Sequence, residues 1–351
     1  MHTRQNQTLL QHPSQRGFGL IELMVSMLLS LLLLAGVIAI FISSRTTYER
    51  TDQLSRLQEN GRFALDTIVR DLRSAGYTGC SKRAEFSSAL ANSNALLWNF
   101  AVPVQGFDGL GATFTPALDP LVATSANAIG DAIVIRAPRP EFEPVRLADF
   151  MASETDPVVI ESTGPQLIQA GDIVQVSDCQ ARGVFQVTGY AAGSVAHAAG
   201  GGSATAPGNA SASAGAAFTE NGELVAMRSV VYFLRAGSTP GAGTSLWRRE
   251  SGSTVAAEVV EGVERMQFQF GEDTNNDAEI DVSEYRDASA VTDWNRVLAV
   301  RVALLVASAT EYGSDRDTNQ HQVLNQVVPA AGDRRMRRVF STTVTLRNAA
   351  T

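Results

Sequence analysis

The first quarter of the chain contains one uninterrupted apolar block. Twenty consecutive uncharged, mostly aliphatic residues run from Leu23 to Ile42, which is the length of α-helix that crosses the hydrocarbon core of a bilayer. Residues 1–17 carry Arg4 and Arg16 and no acidic side chain. Because positive charge stays on the cytoplasmic side, we predict a transmembrane segment over 20–42 with a cytoplasmic N-terminus.

The pattern becomes amphipathic after this block. From Leu54 to Ala75 apolar residues recur at helical spacing, and polar residues fill most of the other positions. No proline interrupts the stretch, and Gly76 is a natural helix stop. We therefore predict one continuous helix over 18–76. The alternative is a spanning helix and a separate short helix that are broken near Gly61.

Beyond this helix the pattern is that of short strands separated by loops rich in Gly, Pro, Ser and Asp. Residues 77–351 are predicted to form one β-rich head domain. The predicted strands are 132–136, 172–176, 184–187, 230–234, 245–249, 266–270, 297–306 and 339–346. The stretch 191–217 is almost entirely Ala, Gly and Ser, so we predict a flexible loop that buries no core there.

Composition narrows the choice of partners and of compartment. The net charge of −8 argues against nucleic-acid binding, which needs a basic surface. The two cysteines, Cys80 and Cys179, form no metal-binding pattern with the four scattered histidines. Two lone cysteines are usually free in the cytosol and paired after export. Since the predicted topology exports the head, we predict a Cys80–Cys179 disulfide; the alternative is two separately buried thiols.

The residues around the start of the apolar block decide between three kinds of N-terminal segment. A secretory signal has a shorter apolar core, and a plain membrane anchor would avoid a carboxylate such as Glu22. The sequence Gly17-Phe18-Gly19-Leu20-Ile21-Glu22 instead resembles the type IV prepilin signature. That resemblance implies a leader of residues 1–17, cleavage by prepilin peptidase between Gly17 and Phe18, and N-methylation of Phe18. It also implies that Glu22 sets the register of packed helices by pairing with the Phe18 amine of a neighbour.

Three further stretches resemble PilW-type minor pilins. They are Gln58-Glu59-Asn60-Gly61-Arg62-Phe63 with the segments that follow it up to Cys80, Val176-Ser177-Asp178-Cys179, and Arg338-Val339-Phe340 with Thr342-Thr343-Val344. The resemblance implies an α+β, type IV pilin-like fold: a long N-terminal α-helix, membrane-embedded in its first half, on an antiparallel β-rich periplasmic head. It implies a minor pilin of the inner membrane that helps to prime the fibre and its tip complex. The alternative within the family is a J-type minor pseudopilin of type II secretion.

The same resemblance implies a set of partners. These are other minor and major pilins, prepilin peptidase, the inner-membrane pilus assembly machinery and a tip adhesin. A membrane-anchored periplasmic enzyme is the alternative from a different class, but no nucleophile elbow, zinc-protease or P-loop pattern is present. We therefore predict a non-enzymatic protein that requires no cofactor, and we expect His197 and His321 to be solvated surface residues.

One loop carries the spacing of calcium ligands. Oxygen-bearing side chains stand at positions 1, 3, 5, 9 and 12 of the stretch 273–284, with an aliphatic residue at position 8 and a backbone carbonyl available at position 7, as in an EF-hand-type loop. Position 6, usually glycine, is Ala278, and a left-handed alanine costs about 1 kcal/mol. The alternative is an Asp/Asn-rich turn between strands. The candidate Ca²⁺ ligands are Asp273, Asn275, Asp277, Glu279, Asp281 and Glu284.

Overall fold

The computed structural model describes residues 19–79, 84–109, 111, 113–118, 122, 129–161, 168–203, 205–241, 243–313 and 315–348. The chain divides into two compact units, Met1–Asp52 and Gln53–Thr351. One α-helix, α1 (Leu20–Ser74), begins in the first unit and ends in the second. It continues through Gly61, as predicted, and the alternative of two helices broken near that residue is not observed.

The second unit is rich in strands, and every strand predicted from the sequence is present. The strands are β1 (Glu85–Ser88), β2 (Val104–Gly109), β3 (Phe114–Thr115), β4 (Ala132–Pro138), β5 (Val145–Arg146), β6 (Val158–Val159), β7 (Ile173–Ser177), β8 (Ala181–Gln186), β9 (Gly189–Ala191), β10 (Ser194–Ala196), β11 (Glu223–Ala236), β12 (Thr244–Glu250), β13 (Ala257–Glu261), β14 (Val263–Glu272), β15 (Tyr285–Arg286), β16 (Val297–Ala307), β17 (His321–Val323), β18 (Gln326–Val328) and β19 (Arg337–Thr345). Three short 3-10 helices, Val282–Glu284, Ala288–Ala290 and Trp294–Arg296, lie between β14 and β16.

Two sheets contain most of these strands. The larger sheet has the order β1-β8-β7-β11-β4-β2-β3, with β12 and β5 also paired to β11, and β13 paired to β12. The second sheet has the order β15-β14-β16-β19, and β17 and β18 form a separate hairpin. Pairing between the described strands is antiparallel, as predicted, except that β1 runs parallel to β8.

The main core lies where the second part of α1 meets both sheets. The helix contributes Leu57, Ala64, Ile68 and Leu72, all at most 2% exposed. These side chains belong to one cluster with residues of β4 and β11 from the larger sheet and of β14 and β16 from the second sheet. The amphipathic stripe read from the sequence is therefore the face that this helix buries.

A buried carboxyl group connects the two sheets. The Asp131 side chain accepts a hydrogen bond from the backbone N–H of Gly109 at the end of β2 (3.1 Å) and from that of Phe268 in β14 (2.8 Å). Burial raises the pKa of Asp131 to about 8, since the charged form would lose its solvation and lies near Asp108. At neutral pH the protonated form is thus the favoured one.

The end of α1 is fixed by a buried arginine. Gly76, in the left-handed region at φ 69°, donates its N–H to the backbone carbonyl of Arg136 (3.1 Å). The Arg136 guanidinium donates to the carbonyls of Val102 (2.8 Å) and Leu96 (2.5 Å). Complete burial lowers the pKa of Arg136 to about 9. The helix stop and the 96–102 turn are therefore held by one residue of β4.

The expectation that 191–217 contributes nothing to a core is wrong. Val195 and Ala214 are fully buried in a second cluster built around β7, β8 and the first half of β11. Asn209 accepts from the Gln186 N–H (2.7 Å) and donates to the Gln186 carbonyl (2.7 Å), which holds the stretch against β8. Alanine supplies apolar surface despite its size, so the composition concealed a packed segment.

The two histidines are also less exposed than we expected. His197 is 3% exposed, and its ring nitrogens lie 2.9 Å from the Ala212 carbonyl and 2.8 Å from the Asp156 carbonyl. His321 lies 3.1 Å from the Asp317 carboxylate. Their contacts give each histidine a structural role in the head.

Candidate assembly helix and its supports

The first part of α1 exposes an unbroken apolar surface. Every residue from Leu20 to Arg50 is exposed, including the aliphatic side chains that fill the block up to Ile42. Within the described chain, α1 is the one helix long and apolar enough to cross a membrane. A soluble monomer would not leave so much apolar area in water, since each Å² costs about 25 cal/mol. This surface requires lipid or other apolar helices around it.

Glu22 is the sole charged residue between Leu20 and Ile42, and it lies in the first turn of α1. Gly19 precedes the helix, and its carbonyl accepts from the N–H groups of Glu22 (3.0 Å) and Leu23 (3.2 Å). The Glu22 carboxylate lies 3.4 Å from the Gly19 N–H, which it accepts in return. A carboxylate at this position also stabilises the positive end of the helix dipole. The charge therefore faces the N-terminal end of the helix.

The two residues of the predicted cleavage site, Gly17 and Phe18, lie outside the described residues. Cleavage between them and methylation of Phe18 remain predictions from the sequence. The structure begins to describe the chain at Gly19, two residues beyond that peptide bond.

The second part of α1 is fixed to the head by close packing. Gly61 lies against the ring of Phe340 in β19, so closely that a Cβ on residue 61 would overlap the ring. Near the helix end, the Asn348 side chain donates to the Ala75 carbonyl (3.2 Å). The C-terminal strand therefore contacts the helix at Gly61, and the residues just after that strand contact the residue that follows the helix.

A buried ionic cluster adds a polar link between α1 and β11. Asp71 is 5% exposed, and its carboxylate lies 2.9 Å from the Arg228 guanidinium and accepts from the Tyr232 hydroxyl at 2.7 Å. Arg248 in β12 lies 3.8 Å away. Burial, followed by the Asp71 charge, raises the pKa of Tyr232 above its ordinary value. The sequence reasoning gave Asp71 no role, although an acid on the apolar stripe next to Leu72 was a signal for it.

The segment after α1 runs beside the end of β7. The Gln175 side chain donates to the Tyr77 carbonyl (3.2 Å), and the Tyr77 hydroxyl donates to Glu223 (2.5 Å). Gly79 touches Ser177 so closely that a Cβ would overlap the serine hydroxyl. Cys179 follows at φ 71° in the turn before β8. Cys80 lies outside the described residues, so the Cys80–Cys179 disulfide remains a prediction.

The predicted left-handed alanine of the 273–284 loop is observed. Ala278 has φ 63° and Asn276 has φ 62°. Both carboxylate oxygens of Asp273 accept backbone N–H groups, from Asn276 (2.7 Å) and from Ala278 (3.1 Å). These bonds curl the chain around Asp273, which is 8% exposed.

The closing residue of the loop is engaged in the same manner. Glu284 accepts from the N–H of Thr274 (3.0 Å) and of Asp281 (3.0 Å). Hydrogen bonds, led by the one from Asp281, lower the pKa of Glu284. Among the described residues, no three acidic, histidine or cysteine side chains converge into a group that could hold a metal ion. The loop thus has the geometry of the Asp/Asn-rich turn, and calcium remains an untested prediction.

Two parts of the sequence match known protein families. Residues 12–38 match the prokaryotic N-terminal methylation motif, and residues 231–348 match the family described as type IV pilus-assembly protein W. These matches confirm the resemblance to PilW-type prepilins. A type IV-like pilin from Thermus thermophilus aligns over 86% of this chain and 100% of its own, with 10% identity and a TM-score of 0.34. The comparison with curated proteins gives no match.

Proposed function

We propose that this chain is a minor pilin of a type IV pilus that helps to prime assembly of the fibre and its tip complex. The observation that supports this best is the exposed apolar surface of Leu20–Ile42 with one carboxylate, Glu22, in its first turn. The matched methylation motif covers the same segment. A membrane-spanning segment that later packs in a fibre core needs this combination of lipid-like surface and one registering charge.

The proposed course of events has two stages. Residues 20–42 first hold the subunit in the inner membrane, with the N-terminus in the cytoplasm and the head in the periplasm. Prepilin peptidase removes residues 1–17, which frees the amine of Phe18. In the fibre, Glu22 then pairs with the Phe18 amine of a neighbouring pilin, and the apolar surface packs against other helices.

The proposed role is one of packing, without catalysis. The chain would contact other minor and major pilins through α1 and its head, and the inner-membrane assembly machinery before extrusion. A tip adhesin is a further proposed partner. Export of the head would also allow the Cys80–Cys179 disulfide, which the contact between Gly79 and Ser177 supports by bringing the flanking segments together.

The decisive test is the mass of the full-length protein extracted from membranes of its own host. We expect the mature chain to begin at an N-methylated Phe18, and Gly17→Leu to leave the uncleaved form in the membrane. A mature chain that starts at Met1, or one cut beyond Ile42, contradicts the proposal. Co-purification with secretion pseudopilins in place of pilins would assign the chain to type II secretion instead.

A further inference from the structure

The C-terminal segment differs in charge from the rest of the protein. Residues 334–351 contain five arginines and no acidic residue, although the whole chain carries a net charge of −8. Arg337 is enclosed by Glu264, Asp317 and Asp333. Arg338, by contrast, is exposed, and its guanidinium lies 5.9 Å from the centre of the Phe340 ring. Arg334 is also paired within the protein, with Glu311 (2.6 Å). The exposed Arg338 of this segment therefore favours an acidic partner.

This segment forms an edge strand with few of the features that usually keep an edge from pairing with another strand. β19 pairs with β16 over nine consecutive residues without a register shift, and it is the last strand of its sheet. It contains no proline, and Ser341, Thr343 and Thr345 are exposed. Proteins usually blunt long, regular edges with prolines, bulges or short strands, because unpaired N–H and C=O groups invite another strand.

The hydrogen-bond register identifies which backbone groups are open. Beyond the two ends of the ladder, Ser308 donates to the Met336 carbonyl (2.8 Å) and Leu346 donates to the Leu298 carbonyl (2.8 Å). Bonding alternates along an antiparallel pair, so the even-numbered residues of β19 face β16. The odd-numbered residues from Val339 to Thr345 point their N–H and C=O groups away from it. None of those N–H groups donates a hydrogen bond to another described residue.

The surface next to this edge is also open and polar. Ser341 and Thr343 line a cleft of about 590 Å³ with Gln269 and Arg301, and the tip of the β17–β18 hairpin closes one side. At that tip Leu324 is held at φ 52°, a backbone conformation that is rare for a branched side chain. Polar side chains of an added strand would lie beside the two hydroxyl groups at the mouth of this cleft.

From these observations we propose that β19 accepts an extended, acidic strand from the head of a neighbouring pilin, which joins the β15-β14-β16-β19 sheet as a fifth strand. The open backbone groups of Ser341 and Thr343 bind the main chain of that strand, and Arg338 pairs with its carboxylates. This proposal rests on the proposed function, because it takes the partner to be another pilin.

The test is site-specific photocrosslinking of the full-length protein in its host. A benzophenone side chain in place of Thr345 reports on the strand edge, and the same group in place of Arg62 reports on the exposed face of α1. We expect both positions to crosslink to pilins, and the Thr345 product to map to an acidic, extended segment of a pilin head. Crosslinks from neither position to any pilin would reject the proposed function itself.

Substitutions in β19 distinguish a strand that is hydrogen-bonded to this edge from a pilin that merely lies near it. Thr343→Pro removes an outward N–H and leaves the ladder to β16 intact, as edge strands tolerate. We expect it to lower the yield at position 345 by about tenfold, whereas Thr343→Ala keeps the N–H and the yield. Arg338→Glu should lower the yield by about threefold without touching the backbone. Neither variant should affect the crosslink from position 62.

Three results would overturn the strand-edge proposal while the crosslink at position 62 persists. They are no crosslink at position 345, a crosslink to a second copy of this chain, and a yield that neither Thr343→Pro nor Arg338→Glu reduces. Each of them leaves the role of α1 in the fibre standing.

Discussion

The two parts of α1 use apolar residues for opposite purposes. Between Leu20 and Ile42 the apolar side chains point in all directions and are exposed, and Glu22 is the one charge. Between Leu57 and Leu72 one stripe of apolar side chains is buried in the head, whereas Phe63 and most of the charged residues lie on the exposed face. The first part is thus built for contacts with lipid and other chains, and the second for contacts within its own head.

The difference also determines how each part tolerates an acid. Glu22 accepts only the N–H of Gly19, at 3.4 Å, from the described residues. Asp71 is enclosed and bonded to Arg228 and Tyr232. A carboxylate left for an external partner and one satisfied inside the fold should respond differently to removal.

Removing the charge from the first part should have the largest effect on assembly. We expect Glu22→Ala to insert normally, because losing a charge eases insertion, and to form at least about tenfold fewer fibres, since breaking a buried pair costs about 3–5 kcal/mol. Glu59→Ala, on the exposed face of the second part, is the matched control and should assemble normally. Counting fibres by electron microscopy gives the answer; normal piliation in Glu22→Ala would show that register is set elsewhere.

Opening the predicted disulfide should have the largest effect on the stability of the head. Closing a loop of about 100 residues contributes up to about 4–5 kcal/mol by the chain-entropy argument, so Cys179→Ser should lower the free energy of unfolding by as much. Thiol labelling of denatured, unreduced protein should find no reactive cysteine, and reduced protein should give two. Two labelled sites before reduction would refute the bond.

Asp71→Ala tests the internal acid. It removes the acceptor of the buried Tyr232 hydroxyl and leaves Arg228 with Glu250 (3.2 Å) as its remaining carboxylate. Leaving a buried donor unsatisfied should cost about 1–3 kcal/mol. Asp66→Ala removes an exposed acid from the same helix and should change stability by less than about 0.5 kcal/mol. Denaturant unfolding of the full-length protein in detergent measures both. Equal, small losses would mean that the cluster contributes little.

Alanine substitutions of Gly61 and Gly36 compare how tightly the two parts of α1 are packed. Gly61→Ala forces a Cβ into the Phe340 ring and should cost about 1–3 kcal/mol. Gly36 has no atom within 4 Å of the corresponding position, so Gly36→Ala should leave the unfolding of the head unchanged. If Gly61→Ala is neutral in the same unfolding assay, the Phe340 ring moves aside at no cost.

Calcium should have the smallest effect, since the 273–284 loop already satisfies Asp273 and Glu284 through backbone N–H groups. If the ion binds, 1 mM calcium should raise the melting temperature of the full-length protein relative to chelator by a few degrees. Asp273→Ala with Asp277→Ala should abolish the shift. An unchanged melting temperature in the parent protein would reject the site.

The sequence was sufficient to predict the helix and the strands that show strong alternation or long apolar runs. The 297–306 run is an example, because nine of its ten residues are apolar and only Arg301 interrupts them, which is typical of a strand buried on both faces. Very short strands such as Val145–Arg146 were missed, since two residues carry no periodicity. The prediction for 191–217 is wrong because its side chains are small, and neither the burial of Ala214 nor the hydrogen bonds of Asn209 have a signal in the composition.

For the assembly helix, the sequence predicts one residue, Glu22, that acts outside the fold. Glu22 was recognisable because a charge interrupts an apolar block. The partners of Asp71 were not, since Arg228 and Tyr232 lie more than 150 residues away along the chain. Contacts of that separation have no local signature and require the sheet topology.

The contact between Gly61 and Phe340 has a consequence for the order of folding. The second part of α1 lies near one end of the chain, and β19, which covers it, lies near the other; the bond from Asn348 to Ala75 spans 273 residues. Contacts so distant in sequence slow folding, because a long loop must close before they form. If the head is exported as proposed, the apolar stripe of the helix should stay unprotected until the last strand has crossed the membrane, and a chaperone could bind it during that interval.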